Sequence, residues 1–366
     1  MKRIKDFLVA VLFISIISYT LPIFFPQSSS SPKENTSIDE SIKEKEPTFV
    51  QEKLPANGYS KWIGKSGEKF AKQFGEPVSK ERISQTHEWW TYGSSANDYY
   101  EVLVVNHQIE SILILGNEVE TDNIHTGMKM EDLALLTTLY SNFSFDYERE
   151  NYVIELSEED MNYQPLIAFN NGAFALIQFN QKTGAIIAIR YLSAHDLLTL
   201  MPYQLLSGNL LDAGDSLSNA STVKDSVRKK HLVNLFNQLR ELADLDKLDL
   251  DPMLNNLADE LAQHFVGNQE TILQEDRLEE FLEERMTHTY ERPFYLEKNE
   301  MRELEKISNA NKFEDIEGLL YLPNQDTSFL AMHLYGELTH LLKLDDEKVN
   351  KIGLAFKDDF IVVLLK

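Results

Sequence analysis

The first apolar run, Phe7 to Phe25, is interrupted only by Ser15, Ser18, Tyr19, Thr20 and Pro22. As a helix it spans roughly 28 Å, close to the thickness of bilayer hydrocarbon. Lys2, Arg3 and Lys5 precede it, so the basic flank is expected in the cytoplasm and the rest of the chain outside. Residues 1–26 therefore read as a signal-anchor. Cleavage as a signal peptide is the alternative, since Ser28 and Ser30 offer small residues after the run. Residues 27–57 carry few apolar positions and no period, which predicts a flexible tether.

From Gly58 the pattern becomes that of a folded domain. Phe70 and Phe74 at i, i+4 predict a helix with Ser66 at its N-cap, stopped by Gly75 and Pro77. Strand patterns follow at Trp89–Tyr92, Tyr99–Val105 and Gln108–Leu115, with Asn106-His107 as a turn. The order then recurs. Thr126-Gly127-Met128-Lys129 opens a helix carrying Leu133, Leu136 and Tyr140, and strand-like runs follow at Tyr152–Leu156, Pro165–Phe169, Ala173–Phe179 and Ala185–Tyr191. Gly64-Lys65-Ser66 and Gly127-Met128-Lys129 hold equivalent places about 63 residues apart. Residues 58–212 are thus predicted to form two α+β repeats side by side. Trp89, Trp90, Tyr92, Tyr99 and Tyr100 are assigned to core and strand pairing, with a binding face as the alternative.

After a linker at 213–225, helical spacing returns with Leu232, Leu235, Phe236, Leu239 and Leu242. Pro252 suits the first turn of a second helix, which carries Leu254, Leu257, Ala258, Leu261 and Phe265. Gln274 to Arg285 reads as a third, acidic helix with a solvated face, and Asp326 to Leu342 as a fourth. The chain ends in a strand pair, Val349–Phe356 and Phe360–Leu365, around Lys357-Asp358-Asp359. Residues 226–366 are predicted to be a second α+β domain, and α+β is the class expected of the whole exterior.

Composition narrows the chemistry. The 366 residues hold 43% hydrophobic side chains, enough for two packed domains. Thirty-five Lys and Arg against 59 Asp and Glu leave a net charge of −24, so nucleic acid is not an expected partner. There is no cysteine, which removes disulfides, thiolate zinc sites, Fe–S clusters and cysteine nucleophiles. Gly64-Lys65-Ser66 does not complete a phosphate-binding loop, because Tyr59 stands where a glycine is required. His87-Glu88 does not complete a zinc-protease helix, because Thr91 stands where the second histidine belongs. Asp244-x-Asp246 does not complete a calcium loop, because Leu248 and Leu250 follow.

Ile63-Gly64-Lys65-Ser66, Phe74-Gly75-Glu76-Pro77, Trp90-Thr91-Tyr92 and Met201-Pro202-Tyr203 with Gly208 occur in an order that resembles the CAP-associated N-terminal domain. That domain is found in exported proteins of Gram-positive bacteria, ahead of a CAP domain (cysteine-rich secretory protein, antigen 5, pathogenesis-related 1). Residues 226–366 are similar to a divergent CAP domain, which implies an α-β-α sandwich. Asn237-Gln238-Leu239-Arg240 matches its first helix, and Leu250-Asp251 through Leu254 and Ala258 the start of its second. His340, followed twelve residues later by Ile352-Gly353, matches its last helix and strand. Glu305-Lys306-Ile307-Ser308 stands for its Glu-Asn-Ile-Ala segment.

The resemblance implies a cavity built from His288, Glu305 and His340. Leu341, Glu337 and Lys306 depart from the family pattern at its edge. Independently, His333, Glu337 and His340 fall at i, i+4 and i+7, on one face of the predicted helix, a spacing that suits a divalent metal such as zinc. A solvated or capping polar face is the main reading, with the metal site and a metal-free polar cavity as alternatives, and no cofactor is the main expectation. His264 and His231 are expected on the surface. The leading functional reading is a membrane-tethered extracytoplasmic binding or scaffold protein without catalytic activity. It would be attached through its N-terminal helix, with a protein, a lipid or a cell-wall component as partner. The alternatives are a metal-dependent hydrolase or peptidase using His288, Glu305 and His340, and a mechanical spacer.

Overall fold

The computed structural model describes residues 51–211, 225–287, 293–308, 316–322 and 326–366. The predicted anchor and residues 27–50 of the predicted tether lie outside the described residues; the tether's last residues are described, and the Leu54 N–H donates to the Ala168 carbonyl at 2.9 Å. No helix among those described is long and apolar enough to cross a membrane. Gln51–Lys366 forms one compact unit.

The first region opens with α1 (Gly67–Phe74), then β1 (Ser79–Arg82), β2 (His87–Tyr92), β3 (Tyr100–Val105) and β4 (Gln108–Ile114). A second passage follows with α2 (Met130–Leu136), a hairpin of β5 (Asn142–Tyr147) and β6 (Glu150–Glu155), and α3 (Glu158–Tyr163). Then come β7 (Leu166–Ala168), β8 (Phe174–Phe179), β9 (Ile186–Leu192), α4 (Ala194–Leu200) and β10 (Gln204–Ser207). Seven strands form one sheet in the order β1-β2-β3-β4-β9-β8-β7, and β10-β6-β5 form a smaller one.

The glycines that mark the repeat have the same local job. The Gly64 N–H donates to the Ile109 carbonyl and the Ile109 N–H returns to that of Lys65, each at 2.8 Å. The Gly127 N–H donates to the Ile186 carbonyl and the Ile186 N–H returns to that of Met128, again at 2.8 Å. Both glycines sit at positive φ, +77° and +87°, where other residues are strained. The two halves of the sheet meet through the antiparallel β4–β9 pair.

The second region contains α5 (Asp225–Leu242), β11 (Asp249–Leu250), α6 (Pro252–Gly267), α7 (Gln269–Ile272), α8 (Glu275–Thr287) and β12 (Phe294–Tyr295). It continues with α9 (Lys298–Ile307), β13 (Glu317–Leu322), α10 (Thr327–Gly336), α11 (Leu338–Leu344), β14 (Lys351–Lys357) and β15 (Phe360–Leu365). The sheet order is β11-β14-β15-β13-β12. Side chains alternate across each strand. Phe360, Val362 and Leu364 face a core with α6 and α9, while Ile361, Val363 and Leu365 face a core with α5 and α10. The result is an α-β-α sandwich.

The motif residues of this region are structural. Asn237 bonds both the N–H and the carbonyl of Leu248, at 2.7 and 3.0 Å. Arg240, fully buried, donates to the carbonyls of Asp246, Leu344, Asp346 and Val349. Gly353 lets β14 pass α6, since a Cβ there would lie 2.4 Å from the Leu254 backbone.

The two regions share a core. On the seven-stranded sheet, Val102, Ala175, Ile177 and Ile189 pack with Phe70 and Leu133. On its other face, Leu113, Phe174, Leu176 and Leu192 pack with Leu232, Phe236, Phe329 and Leu334 of the second region. Fully burying one such side chain contributes roughly 1.5–3 kcal/mol.

Candidate functional site

The stretch Asp326 to Leu342 is not one helix. It breaks after Gly336, and Glu337 is extended at φ −77°, ψ 128° between α10 and α11. The cause lies in the first region. The Gln181 N–H donates to the Gly336 carbonyl (3.0 Å), and the Leu338 N–H donates to Gln181 Oε1 (2.9 Å). Buried Gln178 fills the space where a side chain at 336 would go, 2.0 Å from an added Cβ. A glycine, already a weak helix former, is thus clamped open from outside.

The break still gathers the predicted residues. Glu337 Oε2 lies 3.5 Å from His333 Nε2 and 3.2 Å from His340 Nε2. Burial pushes the Glu337 carboxyl up, but its interactions with His333 and His340 outweigh that and hold it well below the usual range. Tyr295 and Tyr321 present their rings edge-on to His340, with centroids 5.3 and 6.0 Å away. His340 is buried, and neither of its ring nitrogens completes an aligned hydrogen bond. The void beside it measures about 10 Å³, about one water at most.

Among the described residues no group of three His, Cys, Asp or Glu side chains is arranged to hold a metal ion. In His333, Glu337 and His340, the residues weighed as a zinc set, a Glu337 carboxylate oxygen stands between the two imidazoles. Glu305, on α9, does not line the void beside His340. Its carboxyl is pushed up by burial, opposed by Arg302 and Lys343. His288 lies outside the described residues.

A second polar cluster, at the boundary of the two regions, escaped the sequence reading. His231 is buried at 5% exposure, not on the surface. Its Nε2 sits 2.9 and 3.0 Å from the two carboxylate oxygens of Glu101, and its Nδ1 sits 2.5 Å from Thr327 Oγ1. The Tyr99 hydroxyl donates to Glu101 and accepts from Asn234. The Trp89 ring stacks on the imidazole at 3.6 Å. The signal was available: His231 precedes Leu235 by four positions, on the apolar face of its helix. Carboxylate, imidazole and hydroxyl stand in the order of a nucleophile relay. Thr327, however, is 2% exposed and does not line the adjoining 320 Å³ cleft of Trp89, Ser94, Ser95, Lys230 and Gln238. The cluster ties β3 of the first region to α5 and α10 of the second.

A third link is ionic. Arg190 of β9, 1% exposed, donates to Asp326 Oδ1 at 2.9 Å and to Asp196 Oδ2 at 2.8 Å. Burial pushes the Asp196 carboxyl up to about 6 against the pull of Arg190. In Asp326 the pull of Arg190 and the Phe329 N–H outweighs burial, and the carboxyl lies below its usual range.

Residues 63–203 match the family model described as CAP-associated N-terminal. Over 249 residues the chain is 22% identical to the uncharacterized membrane protein YlbC of Bacillus subtilis (strain 168), covering 68% of this chain and 72% of that one. The fold is similar to an extracellular protein containing a SCP domain from Bacillus anthracis str. Ames, with TM-score 0.64 and 18% identity over 92% of this chain and 99% of that one. It is also similar to the cysteine-rich secretory protein SAV1118 from Staphylococcus aureus subsp. aureus Mu50, with TM-score 0.62 and 18% identity over 86% and 97%.

Proposed function

We propose that this chain, a CAP-associated N-terminal domain joined to an SCP-like sandwich, is an extracytoplasmic binding or scaffold protein. In this reading it is tethered by residues 1–26 and has no catalysis of its own. The observation that carries the reading is the His333–Glu337–His340 cluster, whose carboxylate is taken up by both imidazoles at 3.5 and 3.2 Å while the void beside buried His340 measures only about 10 Å³. A hydrolytic site needs a nucleophile or activated water with room for the scissile group next to it. Here the carboxylate is engaged by both imidazoles, and the first region clamps the backbone that carries it. The placement outside the cell is supported by the basic flank and apolar run at the N-terminus, and by the membrane protein and the extracellular protein among its relatives. The partner would be a protein, a lipid or a cell-wall polymer.

Two measurements test this. Protease added to intact cells that make the full chain should digest Gln51–Lys366, and protection would overturn the placement. The purified chain, with added zinc, should leave peptide, ester and glycoside substrates intact. Zinc-dependent turnover that disappears in His340→Ala would establish a hydrolase instead.

A further inference from the structure

The two faces of the seven-stranded sheet are covered differently. One is buried against the second region. The other carries α1 and α2, and the incoming chain packs there too, since Leu54 and Ala56 join the same cluster as Trp62 and Ile63. The outer surface of α1 and its flanks is basic. Residues 61–82 hold six Lys and Arg against three Glu, a net +3 in a chain of −24. Lys61, Lys65, Lys69 and Lys72 are exposed. None of the four forms an ion pair among the described residues, whereas Lys80 pairs with Glu76 at 3.2 Å and Arg82 with Glu88 at 3.5 Å. Apolar side chains are exposed among these charges. Phe74, at the end of α1, is 37% exposed and Val78 71%. The half-buried Trp62 ring meets Phe74 edge-on with centroids 5.7 Å apart, and Lys65 Nζ stands 5.6 Å from the centre of the Trp62 ring.

Unpaired lysines around an exposed indole and phenyl ring suit the headgroup layer of a bilayer. The rings take the boundary with the acyl chains, and the lysine stems lie along apolar surface while their ammonium groups reach phosphate. We propose that this surface docks the folded unit onto an anionic phospholipid bilayer, as a second membrane contact beside the N-terminal anchor. The acidic remainder of the chain is repelled by such a surface, which turns the basic face toward it. At physiological salt that repulsion is screened beyond about 8 Å, so the facing lysines dominate once they are close. The choice of a bilayer over an acidic protein rests on the tethered reading. Residues 27–50 of the predicted tether lead to the face that carries α1, and as a coil their 24 residues have a root-mean-square length of about 27 Å. The vesicle test below leaves the anchor out, and protease added to cells reads the tethered placement separately, so either reading can fail without the other.

The test uses Gln51–Lys366, one compact unit within which all four described cores close, after cooperative melting has confirmed its fold. It is mixed with sucrose-loaded vesicles of phosphatidylcholine, alone or with about one-third phosphatidylglycerol. The expected result is co-sedimentation with the anionic vesicles, at least about tenfold weaker binding to the neutral ones, and release at about 1 M salt. Replacing three exposed lysines together (Lys61→Gln, Lys69→Gln and Lys72→Gln) should weaken binding by at least about tenfold. The melting temperature should not fall, since those ammonium groups have no ion pair to lose. Anionic vesicles with brominated acyl chains should quench Trp62, and Trp62→Phe should remove that quenching, because Trp89 and Trp90 are buried. Failure to sediment with anionic vesicles would overturn the proposal. So would equal binding to neutral vesicles, binding unchanged in the triple variant, sedimentation without quenching of Trp62, or retention by soluble polyphosphate in the absence of vesicle binding.

Discussion

Two carboxylates show how one side chain's surroundings set the response of the molecule to pH. Asp196 is buried, and its folded-state pKa of about 6 lies above the ordinary 3.8. The folded state therefore holds that proton more tightly, and the stabilisation it brings falls as pH rises from about 4 to about 6. Unfolding free energies at pH 4.5 and 6.5 should drop more in the wild type than in Asp196→Asn. Equal drops would show that Asp196 is not the group responsible. Glu337 behaves in the opposite sense. Its folded pKa is depressed below 4.5, so its contribution is complete above that value and lost as pH falls beneath it. Denaturation between pH 5 and 3 should show Glu337→Gln losing less stability than the wild type over that interval. A parallel loss in both would remove the His333–Glu337–His340 interaction from the account.

At the scale of elements, two glycines predict different costs. A Cβ at Gly353 meets the Leu254 backbone at 2.4 Å, and neither β14 nor α6 can yield without moving its packing. Gly353→Ala should cost about 3 kcal/mol or more. A Cβ at Gly336 meets the side chain of Gln178, which can turn aside but at the expense of its bonds to Gln164 and the Phe179 carbonyl. Gly336→Ala should cost about 1–3 kcal/mol, less than Gly353→Ala, and urea denaturation of the two variants checks the order. The same contrast explains what the sequence made legible. Phe360–Leu365 and the Pro252 helix follow from local pattern, because each carries its own period and its own stop signals. The break at Gly336 does not, because Gln178 and Gln181 impose it from the other region. Strand Glu317–Leu322 escaped for a related reason: buried on both faces, it shows no alternation to read. For the candidate site, i, i+4, i+7 spacing did find residues that meet, but through a broken helix. His231 was missed because its partner Glu101 lies 130 residues away.

For the whole molecule, the sequence suggested two bodies joined by a linker, whereas Gln51–Lys366 is one unit. Leu113, Leu176 and Leu192 share one core with Leu232, Phe236, Phe329 and Leu334 of the second region, so removing that region would expose part of this apolar face. The Arg190–Asp326 pair and the Glu101–His231–Thr327 cluster cross the same boundary. Replacing Arg190 by Met leaves Asp196 and Asp326 facing each other without their cation. Breaking a buried pair in this way costs about 3–5 kcal/mol. Because the boundary is core rather than linker, that loss should lower one melting transition of the whole unit rather than release the second region to melt alone. Differential scanning calorimetry of Gln51–Lys366 and its Arg190→Met variant reads this directly. One calorimetric peak in each, displaced downward in the variant, is the expected result. Two resolved peaks in the wild type would mean that the regions fold independently and that the boundary contacts contribute little.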